Sequence, residues 1–154
     1  MSAEERIKVL GLAVPPAPRP VAAYVPGVEV DGLVFTSGQL PVADGDLRFR
    51  GRVGAEVSPE DGYKAARLCA LNCLGVIRSL AGSLDRVERV VRLAGYVRSA
   101  PGFGGQPAVV NGASELVLEV FGEAGRHARA VMGVSELPLG APVELEMIVK
   151  LKKI

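Results

Sequence analysis

The segment VELEMIVKL, residues 143–151, alternates almost throughout between apolar and charged side chains. Successive side chains of a β-strand point to opposite faces of the sheet, so one face of this strand is entirely apolar. Glu144, Glu146 and Lys150 lie on the other face, together with Ile148. The apolar face requires a cover of helices, and we expect Glu144 to point away from them, toward water or a second subunit.

Two amphipathic helices are predicted to provide this cover. The stretch SPED, residues 58–61, is typical of a helix start, with a hydroxyl N-cap, a proline at the first helical position and acidic residues in the first turn. Apolar residues then recur at three- and four-residue spacing to about Leu80, and Gly82 ends the helix. A second helix is predicted to begin at Pro107 and to end at Gly122.

The remaining β-prone segments complete a mixed sheet. Residues 28–38 read as a hairpin around Asp31-Gly32, a pair that favours a type I′ turn. Further strands are expected within residues 47–54, from 87 to 97 and at 128–134, the last pairing with the adjacent strand 143–151 through the connection LPLGAP. This order predicts an α+β fold in which two main helices pack on one face of a mixed β-sheet.

Length and composition indicate a single domain over residues 1–154, with a helix and an extended arm at residues 1–22. The chain has 154 residues, enough for one ordinary hydrophobic core. Residues 2–12 suit a short amphipathic helix, and the proline-rich stretch after them cannot continue it. No apolar run approaches the roughly 18 residues of a membrane helix, and the N-terminus lacks the features of a signal peptide, so a cytoplasmic protein is expected.

Charge and cysteine content argue against several kinds of site. The formal net charge is +1, without the clustered basic surface that is usual in nucleic-acid binders. Cys69 and Cys73 are four residues apart on a predicted helix, where they would pack as small apolar side chains. With one histidine and no CxxC motif, no set of metal ligands is evident.

Arg129 and Glu144 are the candidates for chemistry. On the predicted strand 128–134, Arg129 shares a face with His127 and Val131. A guanidinium can hold a carboxylate through two parallel hydrogen bonds, and a nearby carboxylate can orient a water molecule or accept its proton. Spacing alone favours an ordinary ion pair at an interface, and it does not fix the register between the two strands.

Several motifs, taken in order, resemble those of the RidA (YjgF/YER057c/UK114) family. They are TSGQLP at residues 36–41, ARA at 128–130, LP at 137–138 and VELE at 143–146. Tyr24 in AAYVPGV and Asn111 in VVNGASE match further family positions. Each motif alone is weak, but the ordered set is specific and covers roughly residues 20 to 151.

The resemblance implies a chorismate-mutase-like fold assembled as a homotrimer, with active sites in clefts between subunits. Family members that retain the arginine are imine deaminases, which hydrolyse reactive 2-imino acids such as 2-iminobutanoate and 2-iminopropanoate to 2-keto acids and ammonia. They need no metal or organic cofactor. Carried over by position, Arg129 would bind the substrate carboxylate and Glu144 would position the attacking water. The pocket would be lined by Tyr24, Ser37, Gly38, Asn111 and the backbone of Val131.

This sequence departs from the family pattern beside the arginine. The family usually has proline two residues before it, where this chain has His127, and a small hydroxyl residue and often cysteine after it, where this chain has Ala130 and Val131. His127 is therefore a further candidate for ligand contact or acid/base chemistry, with an ordinary, partly exposed polar position as the alternative. The N-terminal arm and the loop 99–107 are also longer than in archetypal members, which indicates a divergent branch.

Two other functions compete with hydrolysis of imines. A non-catalytic trimer could bind small carboxylated metabolites as a sensor, using Arg129 without activating water. An endoribonuclease, an activity attributed to some relatives, ranks lower. It needs a basic track for phosphates and an acid/base pair or a metal, whereas this chain has scattered arginines and one histidine.

Overall fold

A computed structural model describes residues 1–20 and 22–154. Within these residues, the helices are α1 (Ala3–Val9), α2 (Pro59–Ala81) and α3 (Gln106–Phe121). The strands are β1 (Gly27–Val30), β2 (Leu33–Thr36), β3 (Val42–Ala43), β4 (Asp46–Leu47), β5 (Val87–Arg98), β6 (Ala128–Val134) and β7 (Val143–Leu151). Both main helices therefore form where the sequence predicts them.

Five of the strands form one mixed sheet in the order β1-β2-β7-β5-β6. Its neighbours are antiparallel except for β5 and β6, which are parallel because α3 connects them as a crossover. Alternate residues of β7, beginning at Val143, are at most 2% exposed beneath the helices. The predicted α+β fold, with two main helices on one face of a mixed sheet, is confirmed, and Glu144 points to the opposite face.

The predicted pairing of strand 128–134 with strand 143–151 is wrong, because β5 lies between them. Strand β7 pairs with β2 on one side and with β5 on the other. It is the strand with the most regular apolar face, and it lies at the centre of the sheet. Strand β6 is shorter and partly exposed along its length, and it takes the edge. Which strands pair when they are far apart in sequence depends on how deeply each strand is buried. The local sequence pattern does not contain this information.

Residues with positive φ angles form the predicted hairpin turn and interrupt a predicted strand. Asp31 and Gly32 have φ angles of 51° and 77°, as a type I′ hairpin between β1 and β2 requires. The strand expected at residues 47–54 is wrong beyond Leu47, where β4 ends. Phe49 and Gly51, with φ angles of 63° and 120°, interrupt any extended conformation in this segment.

The N-terminal residues pack across the helices. Ser2 and Glu5 form a capping box at the start of α1, and Ile7 is buried in the core. Residues 12–20 contain neither helix nor strand, and the carbonyl of Pro15 lies where a side chain at Gly75 of α2 would be. The predicted arm also includes Val21, which lies outside the described residues. No helix in the described part of the chain is long and apolar enough to cross a membrane.

Candidate active site

Three groups on α3 hold the guanidinium of Arg129. Its Nη1 donates to Asn111 Oδ1 at 2.8 Å and to Ser114 Oγ at 3.2 Å, and its Nη2 donates to the carbonyl of Pro107 at 3.4 Å. The Cα register pairs Arg129 with Leu93 of β5, which is fully buried, so Arg129 lies on the face of the sheet that the helices cover. It thus occupies the gap between edge strand β6 and α3.

These contacts leave part of the guanidinium available for a ligand. A guanidinium has five N–H donors, and the contacts to α3 engage two on Nη1 and one on Nη2. The Nε–H and one Nη2–H remain without a hydrogen-bond partner among the described residues. Two such donors can hold one carboxylate by parallel hydrogen bonds.

His127 belongs to the same cluster but uses both ring nitrogens for internal contacts. Its Nδ1 lies 2.6 Å from the carbonyl oxygen of Gly125, and its Nε2 lies 2.9 Å from Ser114 Oγ. We refer to Arg129, Asn111, Ser114 and His127 as the arginine cluster. In this arrangement the histidine supports the cluster and has no ring nitrogen left to contact a ligand.

Glu144 lies against the backbone at Gly38, which follows β2. A Cβ atom built on Gly38 would be 2.5 Å from Glu144 Oε1, so glycine makes room for this carboxylate. Burial raises the pKa of Glu144, and the negative charge of Glu146, two residues along the same face, raises it further. A carboxylate with a raised pKa is a better proton acceptor than an exposed one, as a general base requires.

Tyr24 and Ser37 lie beside Gly38. Ser37 Oγ donates a 2.6 Å hydrogen bond to the carbonyl of Val25, which fixes the residue after Tyr24 next to the end of β2. Tyr24 and Gly38 both line a cavity of about 700 Å³ whose far wall is the proline-rich arm. We call Glu144, Gly38, Ser37 and Tyr24 the glutamate cluster.

Within one chain the two clusters are apart. Arg129 pairs with Leu93 of β5, whereas Glu144 pairs with Tyr96 three residues further along the same strand. Two strand spacings and three residues of rise separate their Cα atoms by about 14 Å. The side chains also point to opposite faces of the sheet, so Arg129 and Glu144 of one chain do not share a cleft.

The structure divides the predicted site residues accordingly. Asn111 and His127 join Arg129, and Val131 lies on the same strand, partly buried against the core. Gly38 lies against Glu144, Ser37 precedes Gly38 in the chain, and Tyr24 lines the same cavity as Gly38. Sequence reasoning missed Ser114, although its position three residues after Asn111 on a predicted helix places both side chains on one face.

The two cysteines are poor candidates for nucleophiles. Cys69 and Cys73 are free thiols buried beneath the sheet, as the helical pattern predicts. Burial raises the pKa of Cys73 to about 12, and that of Cys69 is raised as well. Reactive cysteines are accessible thiolates of low pKa, so neither cysteine fits the role of a nucleophile.

Comparisons with known proteins agree with this fold. A sequence model of the family described as "YjgF/chorismate mutase-like, putative endoribonuclease" matches residues 4–151. The crystal structure of a protein of unknown function from Agrobacterium tumefaciens has a TM-score of 0.90 and is 42% identical, covering 97% of this chain and 92% of that one. The range matched by the family model includes both main helices and all five strands of the mixed sheet.

Two curated relatives resemble this chain in sequence over most of its length. Protein TCP17 from Trypanosoma cruzi is 45% identical over 143 residues, which cover 92% of this chain and 89% of that protein. The 2-iminobutanoate/2-iminopropanoate deaminase from Dermatophagoides farinae is 28% identical over 138 residues, covering 90% of this chain and 93% of that enzyme. The chain belongs to the YjgF (RidA) family and has its chorismate-mutase-like fold.

Proposed function

We propose that this protein hydrolyses reactive 2-imino acids to 2-keto acids and ammonia, at sites between the subunits of a homotrimer. The observation that carries the proposal is the guanidinium of Arg129, which α3 holds with two N–H donors directed to no other described group. A carboxylate is the ligand that such a pair of donors fits. One protein of similar sequence is named for this activity, the deaminase from Dermatophagoides farinae.

The proposed site combines the arginine cluster of one subunit with the glutamate cluster of the next. Arg129 and Glu144 point to opposite faces of their own sheet, so a carboxylate bound to Arg129 can meet a Glu144 carboxylate only if another copy supplies it. Among the described strands, β1 and β6 are the two edges of the sheet, each paired on one side only. An assembly that brings the β1–β2 end of one subunit to β6 of another would join the two clusters.

Exposed apolar side chains on the open face support such an assembly. Val28, Phe35 and Met132 are 46%, 38% and 44% exposed, and the strand register places all three on the face that carries Glu144. Val28 and Phe35 are direct partners across β1 and β2, whereas Met132 lies on β6 at the other edge, so each end of this face carries exposed apolar surface that contact with another subunit would cover. Closed cyclic symmetry lets each copy offer both its β1–β2 end and its β6 edge, so every cleft is equivalent.

The proposed reaction consumes one water molecule and needs no metal or organic cofactor. Glu144 accepts a proton from the water as the water oxygen bonds to C2 of the imine, and returns this proton to the nitrogen. In the resulting carbinolamine, the hydroxyl proton passes through Glu144 to the nitrogen as the C–N bond breaks, the C2 carbonyl forms and ammonia leaves. Arg129 holds the carboxylate throughout, which fixes C2 relative to the water. Because imines already react with water, positioning one water molecule and one proton acceptor is sufficient.

The test is production of a keto acid from an imine generated in the assay. An amino-acid oxidase forms 2-iminobutanoate, and release of 2-oxobutanoate is followed with wild-type protein, Arg129→Ala and Glu144→Gln. We expect wild-type protein to accelerate release and both variants to lose the acceleration. No acceleration by wild-type protein would contradict the proposal. In that case, binding of 2-oxobutanoate that depends on Arg129 favours a metabolite sensor, and RNA cleavage that depends on Arg129 favours a nuclease.

A further inference from the structure

The arginine cluster contains a hydrogen-bonded chain that runs from the backbone through two side chains to Arg129. It begins at the carbonyl of Gly125, passes through both nitrogens of His127, and reaches Arg129 through the hydroxyl of Ser114. Gly125 itself packs against the backbone of α3, where the carbonyl of Val117 leaves no room for a larger residue. These hydrogen bonds therefore link the turn after α3 to β6 through Ser114 of α3.

For a neutral His127, the hydrogen-bonding capacity of each partner assigns the protons along these contacts. A carbonyl can only accept, so Nδ1 of His127 carries the proton that points to Gly125. In neutral histidine, Nε2 is then an acceptor, and the Ser114 hydroxyl donates to it at 2.9 Å. With its one proton committed to His127, Ser114 Oγ presents only lone pairs to Nη1 of Arg129, at 3.2 Å.

We propose that His127 is a positioning residue, which makes Ser114 a fixed acceptor and so holds the guanidinium of Arg129 in the orientation that binds a carboxylate. Without the histidine, the Ser114 proton can rotate toward Arg129, where it meets another donor, or toward a backbone carbonyl one turn earlier in α3. This inference rests on the proposed function for its substrate, a 2-imino acid, and deepens it by naming what controls recognition of the carboxylate.

The location of Arg129 explains why it requires such support. It is the second residue of β6, an edge strand paired only with β5 among the described strands. Hydrogen bonds of the sheet therefore restrain its backbone from one side, and α3 has to restrain its side chain from the other. His127, two residues earlier on the same face, ties the start of this strand to α3.

One test measures the histidine tautomer directly and needs no catalytic activity. The protein has a single histidine, so the imidazole ¹⁵N signals of the wild-type protein all belong to His127. We expect the neutral ring to carry its proton on Nδ1, and the Nε2 shift to change when Ser114 becomes alanine. A ring protonated on Nε2, or one insensitive to Ser114→Ala, would overturn the inference whether or not the protein hydrolyses imines.

A second test asks whether His127 acts through Ser114. His127→Phe keeps a ring and removes both nitrogens, Ser114→Ala removes the hydroxyl, and Ser114→Thr restores one. We expect each of the first two to raise KM about tenfold with kcat within about twofold, and Ser114→Thr to recover most of the loss. The double variant should be no worse than Ser114→Ala alone. Ser79→Ala, an exposed serine on α2, serves as the control.

The outcomes separate this inference from the proposed function. If the losses of the two single variants multiply in the double variant, or if kcat falls at unchanged KM, His127 acts directly in the chemistry. Either result would overturn its positioning role. If wild-type protein does not hydrolyse imines, the proposed function fails, and the same variants are compared by their affinity for 2-oxobutanoate. Weaker binding with the same non-additive pattern would then still support the role of His127, and unchanged binding would refute it.

Discussion

Arg129 and Glu144 lie on opposite faces of one five-stranded sheet, with β5 between the strands that carry them. Side chains of α3 hold the guanidinium of Arg129, and the absence of a side chain at Gly38 leaves space for the carboxylate of Glu144. Because these two groups cannot meet within one chain, a site that uses both of them has to be shared between subunits. The proposed hydrolysis of imines depends on this division of the site.

Arg129→Lys should lose activity even though the positive charge remains. A lysine ammonium cannot present two parallel N–H donors to a carboxylate while also bonding to Asn111 and Ser114. We expect kcat/KM for 2-iminobutanoate to fall about 100-fold, mostly through KM, because two hydrogen bonds to a charged group are disturbed. Arg126→Lys is the matched control, since Arg126 is exposed and its ion pair is with Glu123. Equal losses in both variants would contradict the assignment.

Gly38→Ala should reduce activity more than it reduces stability. The added methyl group would lie 2.5 Å from Glu144 Oε1, and the carboxylate is the flexible end of a side chain that can move aside. We expect the melting temperature to change little while kcat falls about tenfold or more, because a displaced base no longer reaches the water. Gly104→Ala is the control, since a methyl group there meets nothing within 4 Å. A large drop in melting temperature at normal kcat would point to a structural role only.

Glu146→Gln should move the acidic limb of the pH profile to lower pH. Burial and the charge of Glu146 both raise the pKa of Glu144 above its ordinary value of 4.5. Glu144 accepts a proton only when ionised, so activity should fall as pH drops through this raised pKa. Removing the charge of Glu146 lowers the pKa of Glu144 and extends activity toward acid, although the effect of burial remains. The measurement is kcat/KM against pH, with the non-enzymatic rate subtracted at each pH. A limb that stays in place would exclude Glu144 as the group that titrates.

Gly112→Ala should destabilise the fold by separating the two main helices. A methyl group at Gly112 of α3 would run into the backbone carbonyl of Tyr63 on α2, and neither backbone can move aside as a side chain can. We expect the free energy of unfolding to fall by about 1 to 3 kcal/mol, with part of the packing cost offset by the better helix propensity of alanine. Denaturant unfolding measures the change. A variant as stable as wild type would show that the two helices can separate without cost.

The parts of the fold that follow from neighbouring residues could be predicted from the sequence. The start of α2 depends on the Ser58 hydroxyl, which accepts from Asp61 N at 3.1 Å, and the hairpin depends on Asp31-Gly32. Strand order could not be predicted in this way, because β7 is placed by burial against β2 and β5, which are far from each other in the chain.

The grouping of residues in the candidate site could not be predicted from the sequence either. Motifs that resemble the family identified Arg129, Glu144 and Gly38, but only the three-dimensional structure reveals which of them lie together. Ser114 and the carbonyl of Pro107 were missed because serine is common on helices and a backbone carbonyl has no sequence signal. The helical spacing of Asn111 and Ser114 was the one usable indication.

The most direct test of the shared site is complementation between two inactive variants. Arg129→Ala and Glu144→Gln proteins are unfolded, mixed in equal amounts and refolded together, so that subunits assemble at random. If each site takes its arginine from one subunit and its glutamate from the next, about one quarter of the sites regain both groups, and activity returns to about one quarter of wild type. Mixing Arg129→Ala with the double variant is the control and should give none. No recovery from the first mixture, with trimers formed normally, would contradict a site shared between subunits.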